Sequence, residues 1–178
     1  SDQLEPALQD LLYKRVLPNG ERRLPKLVTT HLQSEDIVQL KSWFAPQLKV
    51  VFAHYADAYD RRCRQVGRPT QRRSCMGYAE LVQFAADCRL TSLPRLSRLE
   101  VGKIYLAAAP CPVNTPGKRY THLRFNHFWE AIVRFALLAF SEMRSKQDIG
   151  EQVCGLFLVM WRTLSEAQVR GAKGPPAR

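Results

Sequence analysis

The chain has 178 residues, of which 46% are apolar, so it is long enough and apolar enough for one folded domain with a hydrophobic core. Lysine and arginine number 27 against 16 aspartate and glutamate, and the formal net charge of +11 favours an acidic partner over a basic one. Five cysteines without a CxxC pair give no sign of a disulfide framework or zinc module and favour a reducing, intracellular compartment.

Apolar residues recur at spacings of three and four along most of the chain, which predicts an all-α fold. A first helix is predicted over roughly residues 1–15. A second helix, over residues 37–44, is expected to end at Pro46. Because a missing N–H costs nothing in the first turn of a helix, we expect Pro46 to begin a third helix whose stripe continues to Tyr59.

The second half of the chain follows the same pattern after a loop predicted over residues 60–75. Ser97 and Glu100 form an S-x-x-E capping box for the fifth helix, and Leu96 and Val101 have the spacing of a hydrophobic staple. The fourth to seventh helices are predicted over residues 78–88, 97–109, 126–143 and 146–170. Asn126 is the expected N-cap of the sixth helix. No stretch approaches the ~20 apolar residues that cross a bilayer, so no membrane partner is expected.

Two segments of the chain match without gaps at an offset of 47 residues. The first reads MGYAELVQF from Met76, and the second reads LRFNHFWEA from Leu123. Each follows a long polar loop and opens a helix with an aromatic residue. In this respect the chain resembles the EF-hand superfamily in a divergent, long-loop form, of the kind found in ciliary and flagellar axonemal proteins.

The resemblance implies how the two units pair. Met76 and Leu123 would stand at position eight of each loop and form a short two-stranded ladder. The helix-opening aromatics and first core residues would lie beneath this ladder. The residues expected to form the structural core are Met76, Tyr78, Leu81, Leu123, Phe125, Phe128 and Trp129.

Calcium ligands are not expected in either loop. Calcium requires several hard oxygen ligands around one point. In the first loop only Glu80, at position twelve, carries a carboxylate, and His127 replaces it in the second. The earlier ligand positions are held by Pro69, Gln71, Arg73, Pro116, Lys118 and Tyr120. We therefore predict a domain without metal or cofactor.

Arginine is concentrated in the predicted loop after the third helix, with a smaller basic group around the second loop. A charge run of this kind is often only a solvated loop, but its density favours an anion-binding surface, since the guanidinium fork suits carboxylates and phosphates. The candidate residues for binding an acidic partner are Arg61, Arg62, Arg64, Arg68, Arg72, Arg73, Lys118, Arg119 and Arg124.

Catalysis is not expected. Cys111 and His122 share a proline-rich region that offers no oxyanion hole and no orienting acid. His122 and His127 are five residues apart rather than at the i,i+4 spacing of a helical metal site, which favours capping or packing roles. No catalytic residue is assigned.

These observations predict a non-catalytic structural or adaptor protein. The resemblance implies an intracellular, cytoskeletal location in a cilium or flagellum, with tubulin or another axonemal protein as the acidic partner and an amphipathic helix as a possible occupant of the groove. The alternative is a basic nucleic-acid-associated protein, such as an organellar ribosome component. A calcium sensor is a third class. The predicted parts are an N-terminal arm (1–45), an EF-hand-like pair (46–145), a C-terminal helix (146–170) and a flexible tail (171–178).

Overall fold

A computed structural model of the chain describes residues 30–65, 67, 74–109, 122–141 and 149–172, with side chains up to residue 164 in the last stretch. The described residues are mostly helical, as predicted. Their principal helices are α1 (Glu35–Gln65), α2 (Tyr78–Asp87), α3 (Arg98–Ala108), α4 (Phe125–Ala139) and α5 (Ile149–Ala172), with a 3₁₀ turn at Leu90–Ser92. The helix predicted over residues 1–15 lies outside the described residues.

The break predicted at Pro46 is wrong, because α1 runs through this residue as one helix of 31 residues. An interior proline removes a hydrogen bond and costs about 3 kcal/mol. However, the buried stripe of α1 continues on both sides of the proline, from Ile37 and Leu40 to Leu48 and Phe52. Pro46 itself is exposed. Burial on both sides of the proline offsets its cost. The predicted boundary at residue 45 consequently falls inside α1.

The start of α3 is where the capping prediction holds in part. Ser97 is the N-cap, and its Oγ accepts a hydrogen bond from the Glu100 N–H at 3.3 Å. The Glu100 carboxylate does not return this bond among the interactions described; it accepts from Lys103 Nζ at 2.6 Å. The helix ends at Ala108, before Pro110.

Two contacts fix α2 between its neighbours. The Tyr55 hydroxyl on α1 donates to Asp87 Oδ2 at the end of α2, at 2.8 Å. At the other end, the Tyr78 ring lies against Gly102 of α3, where an added Cβ would meet the Tyr78 hydroxyl oxygen at 3.5 Å. Gly102 therefore lies at a close contact between α2 and α3.

The predicted pairing of Met76 with Leu123 is present as an isolated antiparallel bridge. Each residue donates its N–H to the carbonyl of the other at 2.9 Å, and both side chains are fully buried. Leu81, Phe128 and Trp129 are buried as well, whereas Tyr78 and Phe125 are half-buried and pack against the core. The bridge places the starts of α2 and α4 side by side.

Helix α5 closes the core by packing against α4 and α1. The Phe157 ring stacks on Phe44 of α1 with centroids 4.1 Å apart and on Trp129 of α4 at 6.2 Å. The apolar residues that α5 buries in this contact are Val153, Leu156, Phe157 and Met160, and Leu164 is half-buried. The helix extends to Ala172, two residues past its expected end.

Candidate acidic-partner interface

The last turns of α1, residues 74–77 and residues 122–124 meet at one end of the molecule, which we call the loop end. Three of the arginines predicted for partner binding, Arg61, Arg62 and Arg64, belong to α1 here. The prediction that they lie in a loop is wrong, because the helix continues to Gln65. Arg61 and Arg64 are exposed. Helical geometry therefore orients both guanidinium groups from a rigid element rather than from a loop.

Arg62 has a different environment from its two neighbours. Its guanidinium donates from Nε to Glu80 Oε1 at 2.9 Å and from Nη2 to Glu80 Oε2 at 3.2 Å. The Glu80 side chain is only 7% exposed, whereas that of Arg62 is 40% exposed. A fork with two parallel bonds is the strongest geometry for an arginine and a carboxylate. Glu80, the carboxylate expected at position twelve of an EF-hand-like loop, is thus held by a cation from the same chain.

A glycine allows the loop end to close around this ion pair. A Cβ built on Gly77 would come within 2.7 Å of Glu80 Oε2 and 2.8 Å of the Tyr59 ring. The Tyr59 ring in turn lies 5.5 Å from the Arg62 Cζ atom, in cation–π geometry. Any side chain at residue 77 would displace the groups that surround the pair.

Tyr59 also connects α1 to the second loop. Its hydroxyl oxygen is 3.1 Å from His122 Nδ1, and the two rings are 5.1 Å apart. Burial lowers the pKa of His122 from its ordinary value of 6.5, with Glu80 acting weakly in the opposite direction. At neutral pH the imidazole is uncharged, which is consistent with the packing role predicted for it.

The start of α4 differs from the prediction. Arg124, not Asn126, is the N-cap, and its backbone N–H donates to His127 Nδ1 at 3.1 Å. Asn126 instead accepts a bond from Lys41 Nζ of α1 at 3.1 Å through Oδ1. Burial lowers the pKa of His127 below 6.5. The neutral ring takes the place that glutamate or glutamine has in a capping box, so this histidine caps a helix.

Arg124 is the fourth predicted binding residue within the described part of the chain, and it is exposed. It follows Leu123 of the bridge and His122, which contacts Tyr59. The structure therefore brings Arg124 to the same end of the molecule as Arg61 and Arg64. The remaining candidates, Arg68, Arg72, Arg73, Lys118 and Arg119, lie outside the described residues.

The described cysteines have the character of small apolar side chains. Cys63, Cys75 and Cys88 are buried and Cys154 is half-buried, and all four are free thiols. Burial raises the pKa of Cys75 to about 11 and that of Cys88 to about 12. Since the thiolate is the reactive form, these two thiols are poor nucleophiles at neutral pH.

Within the described ranges, no group of three or more histidine, cysteine, aspartate or glutamate side chains is arranged to hold a metal ion. Nor does any helix in that part of the chain combine the length and apolar character needed to cross a membrane. The chain matches no protein-family model, no curated protein and no solved structure.

Two features of this site were missed by the sequence reasoning. The Arg62–Glu80 pair joins residues 18 apart, and the Tyr59–His122 contact joins residues 63 apart. The first had a detectable signal, since Glu80 was the one carboxylate of the loop and arginines were its nearest basic neighbours. The second had none, because a single contact between a tyrosine and a histidine produces no repeating pattern in the sequence.

Proposed function

We propose that the chain is a non-catalytic structural or adaptor protein that docks on an acidic protein surface, with tubulin in an axonemal microtubule assembly as the partner. The observation that carries this proposal is the exposure of Arg61 and Arg64 at the loop end, beside Arg124. Cations at a helix C-terminus also offset the helix dipole. If Arg61 and Arg64 served only to stabilise the end of α1, an exposed cation from another segment, Arg124, would not be needed beside them. The net charge of +11 adds a long-range attraction to acidic surfaces.

We further propose that the two helix–loop–helix units are a degenerate EF-hand-like pair without metal. Support comes from residues at the same offset of 47 that occupy equivalent places. Met76 and Leu123 pair with each other. Glu80 and His127, at position twelve of their loops, each serve an internal partner: the Arg62 guanidinium and the Arg124 N–H. Both position-twelve residues thus have a structural use that needs no cation from solution.

The packing of α5 against α4 and α1 supports a docking site away from the apolar helix faces. The Phe157 ring stacks on Phe44 and on Trp129, and the apolar residues around it on α5 are buried. We therefore place the partner at the arginines of the loop end rather than in a groove between the helices.

Co-sedimentation with polymerised microtubules tests the proposal. Arg61→Glu combined with Arg64→Glu is expected to abolish pelleting at low salt, because two attractive charges become repulsive. Arg62 is left intact, since its loss would disturb Glu80. The matched control is Arg98→Glu with Arg162→Glu, which makes the same charge change on α3 and α5 and should retain most binding. Unchanged pelleting of the Arg61/Arg64 variant would overturn the proposal.

The alternative is a nucleic-acid-associated protein, for which the same exposed arginines would contact phosphates. RNA added in competition distinguishes the two, because RNA binding falls steeply with salt through counterion release. Displacement from microtubules by RNA at physiological ionic strength would favour this alternative. A tagged copy located in the axoneme would favour the first.

A further inference from the structure

The outward side of α1 has five exposed residues at intervals of seven, which we call the outer line. They are Asp36, Trp43, Val50, Asp57 and Arg64. Seven residues are close to two helical turns, so the line stays on one face and drifts by only about 20° at each step. Trp43 is 62% exposed and Val50 is 73% exposed. Single exposed apolar residues need no explanation, but these two lie in register with charges at both ends of the line.

The outer line is complementary to itself when reversed. Val50 is the middle residue of the helix Glu35–Gln65. If a second copy runs antiparallel with a two-fold axis at Val50, Asp36 lies opposite Arg64 of the second copy, and the reciprocal pair forms at the other end. Each Trp43 then lies opposite Asp57 of the second copy, where the indole N–H has a carboxylate acceptor. Val50 meets its own symmetry mate at the centre.

A parallel arrangement lacks these matches, because Arg64 would meet Arg64 and Asp36 would meet Asp36. It would also align the two helix dipoles, whereas the antiparallel arrangement opposes them. A two-fold interface must be self-complementary in this way. We propose that α1 mediates an antiparallel homodimer through its outer line, with Val50 at the two-fold axis.

The expected affinity is modest. The helix is about 46 Å long at 1.5 Å per residue, but each copy contributes only one helix face, which corresponds to the lower end of specific interface sizes. The formal charge of +11 on each copy opposes association. At about 0.15 M ionic strength, charges more than about 8 Å apart are largely screened, so the contacts along the outer line decide the outcome. We expect dissociation in the micromolar range.

This inference does not rest on the proposed function, since self-association is measured without any acidic partner. Arg64 belongs to both surfaces, so an acidic partner and the second copy would compete for it. Failure to bind microtubules would leave the dimer untouched, and a monomeric chain would leave the docking proposal untouched.

Sedimentation velocity of the full chain over the micromolar range is the first test, with a reversible monomer–dimer equilibrium as the expected result. Val50→Glu places two carboxylates at the axis and should weaken the dimer by at least about tenfold, or ~1.4 kcal/mol. Because Val50 is exposed, this variant should fold, which the circular dichroism spectrum checks. A chain that stays monomeric, or a dimer that Val50→Glu leaves intact, would refute the proposal.

A cysteine at the axis gives a second, independent test. Under mild oxidation, Val50→Cys should form an intermolecular disulfide, because the two-fold axis brings the new thiol next to the same thiol of the second copy. Leu158→Cys on α5 is the matched control, since Leu158 is also 73% exposed. The unmodified chain reports any background from the native thiols. Equal cross-linking of the two variants would contradict the assigned face.

Charge exchange tests the direction of the helices. Asp36→Arg and Arg64→Asp should each weaken the dimer, whereas the combined variant should restore it, because the ends then attract with exchanged signs. No restoration in the combined variant would exclude the antiparallel register centred on Val50.

Discussion

Removing the Arg62 guanidinium is the perturbation that most directly tests the account of the loop end. Arg62→Met keeps much of the apolar stem of the side chain but leaves the Glu80 carboxylate, 7% exposed, without its two donors. Removing one partner of a fully buried ion pair costs about 3–5 kcal/mol. Arg62 is 40% exposed, so solvent compensates part of this loss. We expect about 2 kcal/mol of destabilisation, below the range for full burial.

Urea unfolding followed by circular dichroism measures this loss. The matched control is Lys103→Met, which removes a cation of nearly equal exposure (42%) from Glu100, a carboxylate that is 27% exposed. An exposed i,i+3 pair contributes about 0.2–0.5 kcal/mol, so the control should be nearly silent. Combining Arg62→Met with Glu80→Gln should cost less than the sum of the single changes, because the double variant leaves no buried charge without a partner at this site. Equal losses for Arg62→Met and Lys103→Met, or strict additivity, would refute the reasoning.

Three further outcomes are expected. The folded chain should lose stability as the pH falls below 6.5, because the unfolded His127 takes up a proton before the folded one does. Urea titrations between pH 5 and 7 measure how the free energy of unfolding changes with pH, and His127→Gln should reduce that change. If His127→Gln leaves the pH dependence unaltered, His127 is not its source. Phe157→Ala should lower the free energy of unfolding by about 3–5 kcal/mol, because it opens a cavity beside Phe44 and Trp129. The exposed Leu158 is the control, and Leu158→Ala should change the free energy of unfolding little. Similar losses for the two variants would contradict the packing of α5. Titration with calcium should give no stoichiometric heat and no change in tryptophan fluorescence, and a saturable signal would contradict the assignment of Glu80 to Arg62.

Local patterns along the chain were sufficient for most of the helices. Apolar spacing predicted the main helices of the described residues, and the capping box located the start of α3. The resemblance of the two matching segments to EF-hand loops implied the bridge between Met76 and Leu123, which is present. These features depend on side chains within a few residues of one another or on two segments whose sequences match.

The predicted helix boundaries are wrong where contacts with a distant segment outweigh the preference of the local sequence. Pro46 alone favours a helix end, yet burial of Ile37 on one side and Leu48 on the other holds the helix together. Asn126 is a better N-cap than arginine, yet His127 fulfils the capping role for Arg124 while Asn126 bonds to Lys41. The burial of Ile37 and Leu48 and the bond from Lys41 to Asn126 depend on segments that are distant in the sequence, so they cannot be read from the residues near Pro46 or Asn126.

The sequence by itself determined that this chain is helical and basic and that it contains two matching segments, because helix periodicity, charge and repetition are local or additive properties of the residues. The tertiary structure alone decided which cations are available to a partner: Arg62 is committed to a buried carboxylate, whereas Arg61 and Arg64 are exposed on the same turns. It also decided that Trp43 and Val50 lie on an uncovered face among the described residues. The physical reason is that the exposure and pairing of a side chain depend on which distant elements pack beside it.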